Sequence, residues 1–320
     1  MVQKKCMVIG MVLTMWVATS CVDDAPVAET ALTVGFDVAA GSVRVTSPAS
    51  CHGRGLELVR LSGKVRNFGY DILQTPPAPK PLVGIPDVQV WLAEYPLSRQ
   101  LNIRTDEDGR WELVIIKRRG TTLPVSIMYE KDHYAPAVEE MVFSTPLPVG
   151  WDKSVIRSNV HNIASEDIED FAMQMPDELF LFYAKSSLES GISQLIGAPY
   201  TIENLAVATV GKSWASIYNP TLPHGDPGAT VTIEPAGATP LVGPIYFDET
   251  VTPNPAVPVT SADGGVLFNN LLPGSHQLTA VKAPFSYETV TFVVDDTTRL
   301  YIASPPHSIQ GNNPSGPGEL

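Results

Sequence analysis

Apolar and polar residues alternate with a period of two over much of the chain. Val88, Val90 and Leu92 alternate with Gln89, Trp91 and Ala93, and Trp111, Leu113 and Ile115 repeat the pattern. Leu123, Val125, Ile127 and Tyr129 do the same. So do Val231 with Ile233, Ile245 with Phe247, Leu278 with Ala280, Val290 with Phe292 and Val294, and Leu300 with Ile302. Successive side chains of a strand point to opposite faces, so each run predicts a strand with one face on a core. Residues 58–65 are a further strand candidate. The runs are separated by turn chemistry such as Thr105-Asp106-Glu107-Asp108-Gly109 and Asn219-Pro220, where Asp, Asn, Gly and Pro supply the required backbone angles. Many short strands between turns predict a mainly β fold with two antiparallel β-sandwiches, one over residues 56–134 and one over 205–303.

Three stretches break the pattern. Residues 135–204 are expected to form a helical connector docked on one sandwich. Ser165-Glu166-Asp167-Ile168 reads as a helix start, since acidic residues favour the first turn. Pro176 suits the first position of a second helix, in which Leu179, Phe182, Tyr183 and Leu188 share a face. Residues 21–55 are mixed and polar apart from an apolar stretch around Leu32 to Val38, and read mostly as a tether. Residues 304–320, rich in Pro, Gly, Ser and Asn, are expected to be disordered.

The first twenty residues have a different character. Lys4 and Lys5 precede an uncharged run over residues 7–18, too short to span a bilayer, which needs about 20 residues. This is the layout of a signal peptide. Ala18-Thr19-Ser20-Cys21 follows and resembles the lipobox of bacterial lipoproteins, with Ala18 where Leu or Val is usual. The resemblance implies lipidation of Cys21, a membrane partner through that lipid, and, with Val22 rather than Asp next, the outer membrane. Simple secretion with cleavage near Ser20 is the alternative. Loss of residues 1–20 removes Lys4 and Lys5 and takes the net charge from −13 to −15. Such a surface repels nucleic acid and anionic lipid, which excludes nucleic acid as a partner. With Cys6 in the signal and Cys21 lipidated, Cys51 has no intrachain disulfide partner.

The chain also repeats itself. Thr105-Asp106-Glu107-Asp108-Gly109 and Thr260-Ser261-Ala262-Asp263-Gly264 share the form Thr-x-x-Asp-Gly, and each leads into an apolar strand. Ile85-Pro86-Asp87-Val88-Gln89-Val90-Trp91-Leu92 precedes the first, and Gly243-Pro244-Ile245-Tyr246-Phe247 is read as its weaker counterpart. Phe268-Asn269-Asn270-Leu271-Leu272-Pro273-Gly274-Ser275-His276-Gln277-Leu278 resembles the Pro-Gly turn signature of carboxypeptidase regulatory-like domains, and Gly63-Lys64-Val65 resembles their opening strand. That resemblance implies a transthyretin-like sandwich, also called a carbohydrate-binding-like fold, with any peptidase chemistry in a separate domain absent from this chain.

Candidate chemistry is sparse. Asp106, Asp108 and Glu112 offer oxygens that suit Ca2+, against the reading of a solvated turn without the twelve-residue calcium loop. Gly211-Lys212-Ser213 echoes the end of a phosphate loop, but the first glycine of that motif is replaced by Ala206. No His-Glu-x-x-His or Gly-x-Ser-x-Gly motif occurs. His224-Gly225-Asp226-Pro227-Gly228 reads as a tight polar loop at a sandwich end, with a metal site as the weaker reading. Trp91, opposite Val90 and Leu92, is expected to be exposed and is the candidate platform for a sugar ring. The expectation is an envelope lipoprotein without catalytic activity or cofactor, acting as a structural, adhesive or complex-assembly module. A carbohydrate-binding lipoprotein is the first alternative and an unrecognised hydrolase the weaker one.

Overall fold

The computed structural model describes residues 32–68, 70–71, 78–79, 83–132, 151, 153–212, 225–235 and 243–313, all within the unit that begins at Leu32. The fold is mainly β, and its strands form two sandwiches of the same plan. In the first, the strand Leu56–Phe68 pairs antiparallel with Arg110–Arg118 and parallel with Ile168–Pro176. Its second sheet sets Ile127–Asp132 antiparallel between Gln89–Leu92 and Lys153–Ser158. In the other sandwich, Leu205–Gly211 pairs antiparallel with Gly265–Asn269 and parallel with Leu300–Ala303. Gly274–Val281 lies antiparallel between Thr230–Glu234 and Val290–Val294. Six strands in one order and one set of directions thus occur twice.

The sandwiches are fused through a sheet. Lys153–Ser158 of the first runs parallel to Leu300–Ala303 of the second, with Ile156, Arg157 and Ser158 opposite Leu300, Tyr301 and Ile302. This makes one ten-stranded sheet from strands of both. Strands at its centre are buried on both faces. Leu205 belongs to one core, whereas Ala206, Ala208 and Val210 belong to the other, and Leu300 and Tyr301 divide likewise. This is why Leu205–Gly211 reads as an almost unbroken apolar run. The helix Glu178–Ile196 covers the outer face there: Leu181, Leu188 and Ile192 lie in one cluster with Leu205, Phe247, Leu267 and Leu300. Each fully buried Leu or Ile contributes about 1.5–3 kcal/mol. Asp177 starts the helix by accepting a hydrogen bond from the Phe180 amide at 2.8 Å, and Gly197, at φ +69°, ends it.

Three expected segments differ. Residues 135–204, read as a helical connector, carry the strands Lys153–Ser158, His161–Ile163 and Ile168–Pro176 before the helix. Without the first and last of these the first sandwich lacks an edge in each sheet. The acidic residues read as a helix start act otherwise: Asp167 Oδ1 accepts from the Arg60 amide at 2.8 Å, beside the Leu56–Phe68 strand. Pro176 closes a strand rather than opening a helix. Within residues 21–55, Thr33–Asp37 and Ser42–Thr46 form a hairpin that extends the first sandwich's sheet, and Pro48–Gly53 is a short helix. Of the tail at 304–320, Ile309–Gln310 pairs parallel with Val210 and Gly211, and Ser308, Ile309 and Gln310 are buried. Cys21 and the signal region lie outside the described residues, as do His224 and Ser213. Among the described residues, no helix is long and apolar enough to cross a membrane.

Candidate functional site

The two Thr-x-x-Asp-Gly turns are one device used twice. Thr105 Oγ1 accepts from the Val88 amide at 2.8 Å and donates to the Ile85 carbonyl at 2.7 Å. Thr260 Oγ1 accepts from the Ala229 amide at 2.8 Å and donates to the Asp226 carbonyl at 2.6 Å. Gly109 and Gly264 have φ of +78° and +76°. Their carbonyls accept from the amides of Val65 and Val210, both at 2.8 Å. A Cβ on Gly109 would lie 2.2 Å from the Val65 oxygen, and one on Gly264 2.3 Å from the Val210 oxygen. Glycine is required at both by the backbone angle and by the close approach. The same register equates Gly84-Ile85-Pro86-Asp87 with Gly225-Asp226-Pro227-Gly228, and in each the last residue has positive φ, +60° at Asp87 and +86° at Gly228. The counterpart of the Ile85–Leu92 stretch is therefore Asp226–Ile233. The Gly243–Phe247 stretch, read from sequence as that counterpart, instead adds a strand beside Gly265–Asn269.

The equivalence isolates one chemical difference. Ile85 is an apolar core residue, whereas Asp226 is a fully buried carboxylate. Lys282 forms an ion pair with Asp226 Oδ1, and the Tyr287 hydroxyl donates to Oδ2 at 2.7 Å. The Asn313 amide donates to both oxygens, at 2.8 and 2.9 Å. Burial first, and then the hydrogen bond and charge of Asp226, hold the Tyr287 hydroxyl well above its usual pKa, so it stays a donor. The cluster ties the Asp226 loop to the strand end at Lys282 and to the C-terminal stretch. Both oxygens of Asp226 are thereby engaged, and the carboxylate anchors the loop.

A second cluster lies where the sandwiches meet. The guanidinium of Arg157, largely buried, bridges Glu94 of the first sandwich at 2.8 Å and Asp295 of the second at 3.0 Å. The Asn159 amide donates to the His307 carbonyl at 3.0 Å, and the Val160 amide to the Thr291 carbonyl at 2.8 Å. His161 and His307 stand edge to face with ring centroids 5.5 Å apart, and both pack on Phe171 at 4.7 and 4.8 Å. A cleft of about 190 Å³ beside them is lined by Asn162, Glu288 and Ser308 among others. Burial pushes the His161 imidazole down to about 3, helped by His307, and lowers His307 as well. Sequence reading passed over both histidines because neither belongs to a local motif.

The other expected site residues fall apart. Trp91, expected to be exposed, is 7% exposed, and the Arg99 guanidinium covers its ring at 4.7 Å from the centroid. The ring is shielded because the sheet is covered on both faces at this strand, so the alternation of Val90 and Leu92 with Trp91 does not divide core from solvent. Asp106 Oδ1 accepts from the amides of Asp108 and Arg110 at 3.0 and 2.8 Å, closing its own turn. Glu112 receives both hydrogen bonds of a forked contact from Arg60, at 2.9 and 3.0 Å. Asp106, Asp108 and Glu112 therefore converge on no common point. Among the described residues no group of three or more His, Cys, Asp or Glu is placed to hold a metal ion. Cys51 is buried and unbridged.

One surface stands open. Ser42–Thr46 ends the five-stranded sheet, and among the described residues no strand pairs with its outer edge. Val34 faces Val45 and Phe36 faces Val43 across the hairpin, so these four share one side. Phe36 is buried against Tyr95, but Val34, Val43 and Val45 are 53%, 38% and 48% exposed, with Leu97 exposed as well.

These features define a mainly β protein in which one six-strand arrangement occurs twice, the two copies joined through a shared sheet. No family model and no curated protein matches the chain. Among solved structures, it is similar to the shaft pilin spaA from Lactobacillus rhamnosus GG at 11% identity and a TM-score of 0.21, covering 81% of this chain and 98% of the pilin. A Streptococcal ancillary pilin matches at 10% identity and 0.20, over 81% and 63% of the two chains. The Bacillus anthracis TIE protein matches at 12% and 0.20, over 85% and 37%.

Proposed function

We propose that the protein is an envelope lipoprotein, anchored through Cys21 in the outer membrane, that works as a noncatalytic assembly module. The observation that carries this reading is the edge Ser42–Thr46, unpaired among the described residues, with its exposed Val34, Val43 and Val45. An unpaired strand edge offers a row of backbone donors and acceptors that only another extended chain can satisfy, and exposed edges are ordinarily blunted by charge, proline or cover. Arg44, the charged residue of this strand, is occupied by Asp37 at 3.0 Å and does not blunt it. The occupant is an extended segment of a partner envelope protein, with apolar residues at alternate positions to meet Val43 and Val45. The fused sheet and the Arg157 bridge support a rigid carrier for that edge. The shielded Trp91 ring gives the sugar-binding alternative no comparable support.

Two experiments test the reading. Fractionation of cells making the wild type or Cys21→Ser checks the anchor: the wild type is expected in the outer-membrane pellet with an acylated N-terminal peptide, the variant in the soluble fraction. An unacylated Cys21 overturns the anchoring. A photo-crosslinker placed at Ser42 in the full chain checks the edge, and the expected product is a discrete adduct that disappears in Val43→Lys/Val45→Lys. An adduct indifferent to the lysines, or none at all, rejects the edge as the docking surface.

A further inference from the structure

The seam between the sandwiches combines features that a purely static joint does not need. Two imidazoles from opposite sides of it are buried together: His161 follows the strand that pairs across the seam, and His307 sits in the stretch that follows Leu300–Ala303. Both rings pack on Phe171, which stacks on Trp111 at 5.9 Å between centroids. The polar ties across the seam lie next to this cluster. They include the Asn159 amide on the His307 carbonyl itself, the Val160 amide on Thr291, and the Gln174 amide on Ser304 Oγ at 3.2 Å. The neighbours that face the pair favour a proton on it: a hydrogen bond to the Glu169 backbone and the charge of Asp170 act on His307, and Glu288 lines the cleft. The strand Leu123–Val125, paired with His161–Ile163, adds no titratable side chain.

We propose that this seam is an acid-operated latch, in which protonation of the His307–His161 pair releases the stretch around residues 304–308 from the first sandwich. His307 takes the first proton, being the less buried and the nearer to Asp170. Its charge then opposes a second proton on His161 in the closed state, so full protonation requires opening. The open state frees both rings to titrate near the ordinary value of about 6.5. The sign follows from that difference: the closed state binds fewer protons, so the latch is fully closed at pH 7 and above and weakens as pH falls through about 6.5 toward 5. Although burial opposes it, hydrogen bonds from Thr298 and Thr297 hold the Asp295 carboxyl below its usual range, so its ion pair with Arg157 outlasts the histidine response.

Hydrogen exchange of the full-length lipoprotein in detergent, corrected for the intrinsic pH dependence of exchange, tests this. Between pH 7 and pH 5 the amides of Val160 and Gln174 are expected to lose about tenfold or more of their protection, while the Leu56–Phe68 strand keeps its own. His307→Phe, whose ring can replace the imidazole against Phe171, is expected to abolish most of that loss, and His161→Gln/His307→Gln all of it. Equal protection of Val160 and Gln174 at both pH values in the wild type overturns the proposal. So does an undiminished loss in His307→Phe, which would assign it to carboxylates, or a simultaneous loss along Leu56–Phe68, which would be global unfolding.

Discussion

The first sandwich and the second share a hydrogen-bonded skeleton and differ in what has been laid over it. Val65 corresponds to Val210, Thr105 to Thr260 and Gly109 to Gly264, each with the same partner atoms. In that register the Arg60–Glu112 ion pair of the first occupies the place of Leu205 and Leu267 in the second. The reason is the helix Glu178–Ile196, which covers the second sandwich's sheet and leaves the corresponding face of the first to solvent, where a groove of about 500 Å³ runs past Glu57, Arg60 and Asp167. Ile85 and Asp226 differ for a related reason. The C-terminal stretch folds back over the second sandwich and brings Asn313 to Asp226, whereas Ile85 is buried within an apolar cluster. Backbone chemistry thus defines the fold in both copies, and coverage by added segments decides which positions are apolar.

Exchanging the differing positions should break the comparison most sharply. Ile85→Asp puts a carboxylate into an apolar core, where Lys131, the register counterpart of Lys282, already pairs with Asp87, and should cost about 4 kcal/mol or more of unfolding free energy, read by urea titration. A variant that keeps wild-type stability would mean that the Ile85 site is wet or adaptable. Asp226→Ala is expected to cost about 3 kcal/mol, because it strands the Lys282 ammonium and the donors of Tyr287 and Asn313. Asp226→Ile with Lys282→Met and Tyr287→Phe should recover most of that loss by giving the second sandwich the apolar filling of the first. Failure to recover would show that the Asp226 cluster specifies the local conformation and does more than fill space.

Much of the skeleton was legible in the sequence, because its turn residues are constrained by backbone geometry. The Thr-x-x-Asp-Gly repeat is visible because that turn needs a side-chain hydroxyl and a positive-φ glycine. The matching Gly-x-Pro at Gly84 and Gly225 carries the same kind of signal, and aligning it would have singled out Asp226 against Ile85. The strand Ile168–Pro176 was masked by its acidic lead-in. Phe171, Met173 and Met175 do alternate with Ala172 and Gln174, but Glu166 and Asp167 suggested a helix cap, and the role of Asp167 on the Arg60 amide depends on a residue more than a hundred positions away. The same distance hides His161 with His307 and Arg157 with Asp295. Such pairs are set by the topology of the shared sheet, which leaves no local periodicity. Trp91 shows the limit of alternation: with period two, one face is core, but the other is solvent only if no further element covers it.

The two threonines provide a finer comparison. Thr105→Val and Thr260→Val each remove a hydroxyl that satisfies one buried amide and one buried carbonyl, at nearly unchanged shape. Each should cost about 2 kcal/mol. If the two turns are energetically as well as geometrically equivalent, the losses should agree within about 0.5 kcal/mol, a spread typical of independent sites. Unequal losses would mean that the cover over the second sandwich redistributes strain that the first turn must bear alone.

The smallest effect is expected where the first sandwich is bare. Arg60 and Glu112 form a forked ion pair, but their side chains are 53% and 50% exposed, so solvent screens the attraction and each side chain loses rotamer freedom by making it. Glu112→Ala should therefore change stability by no more than about 0.5 kcal/mol, whereas Leu267→Ala, at the equivalent position beneath the helix, should cost about 3 kcal/mol through lost burial and the cavity left behind. Urea titration of the two variants side by side measures what the helix contributes to that face of the sheet. A large loss in Glu112→Ala would contradict the picture of an uncovered face and require a partner or segment that buries the Arg60–Glu112 pair as the helix buries Leu205 and Leu267.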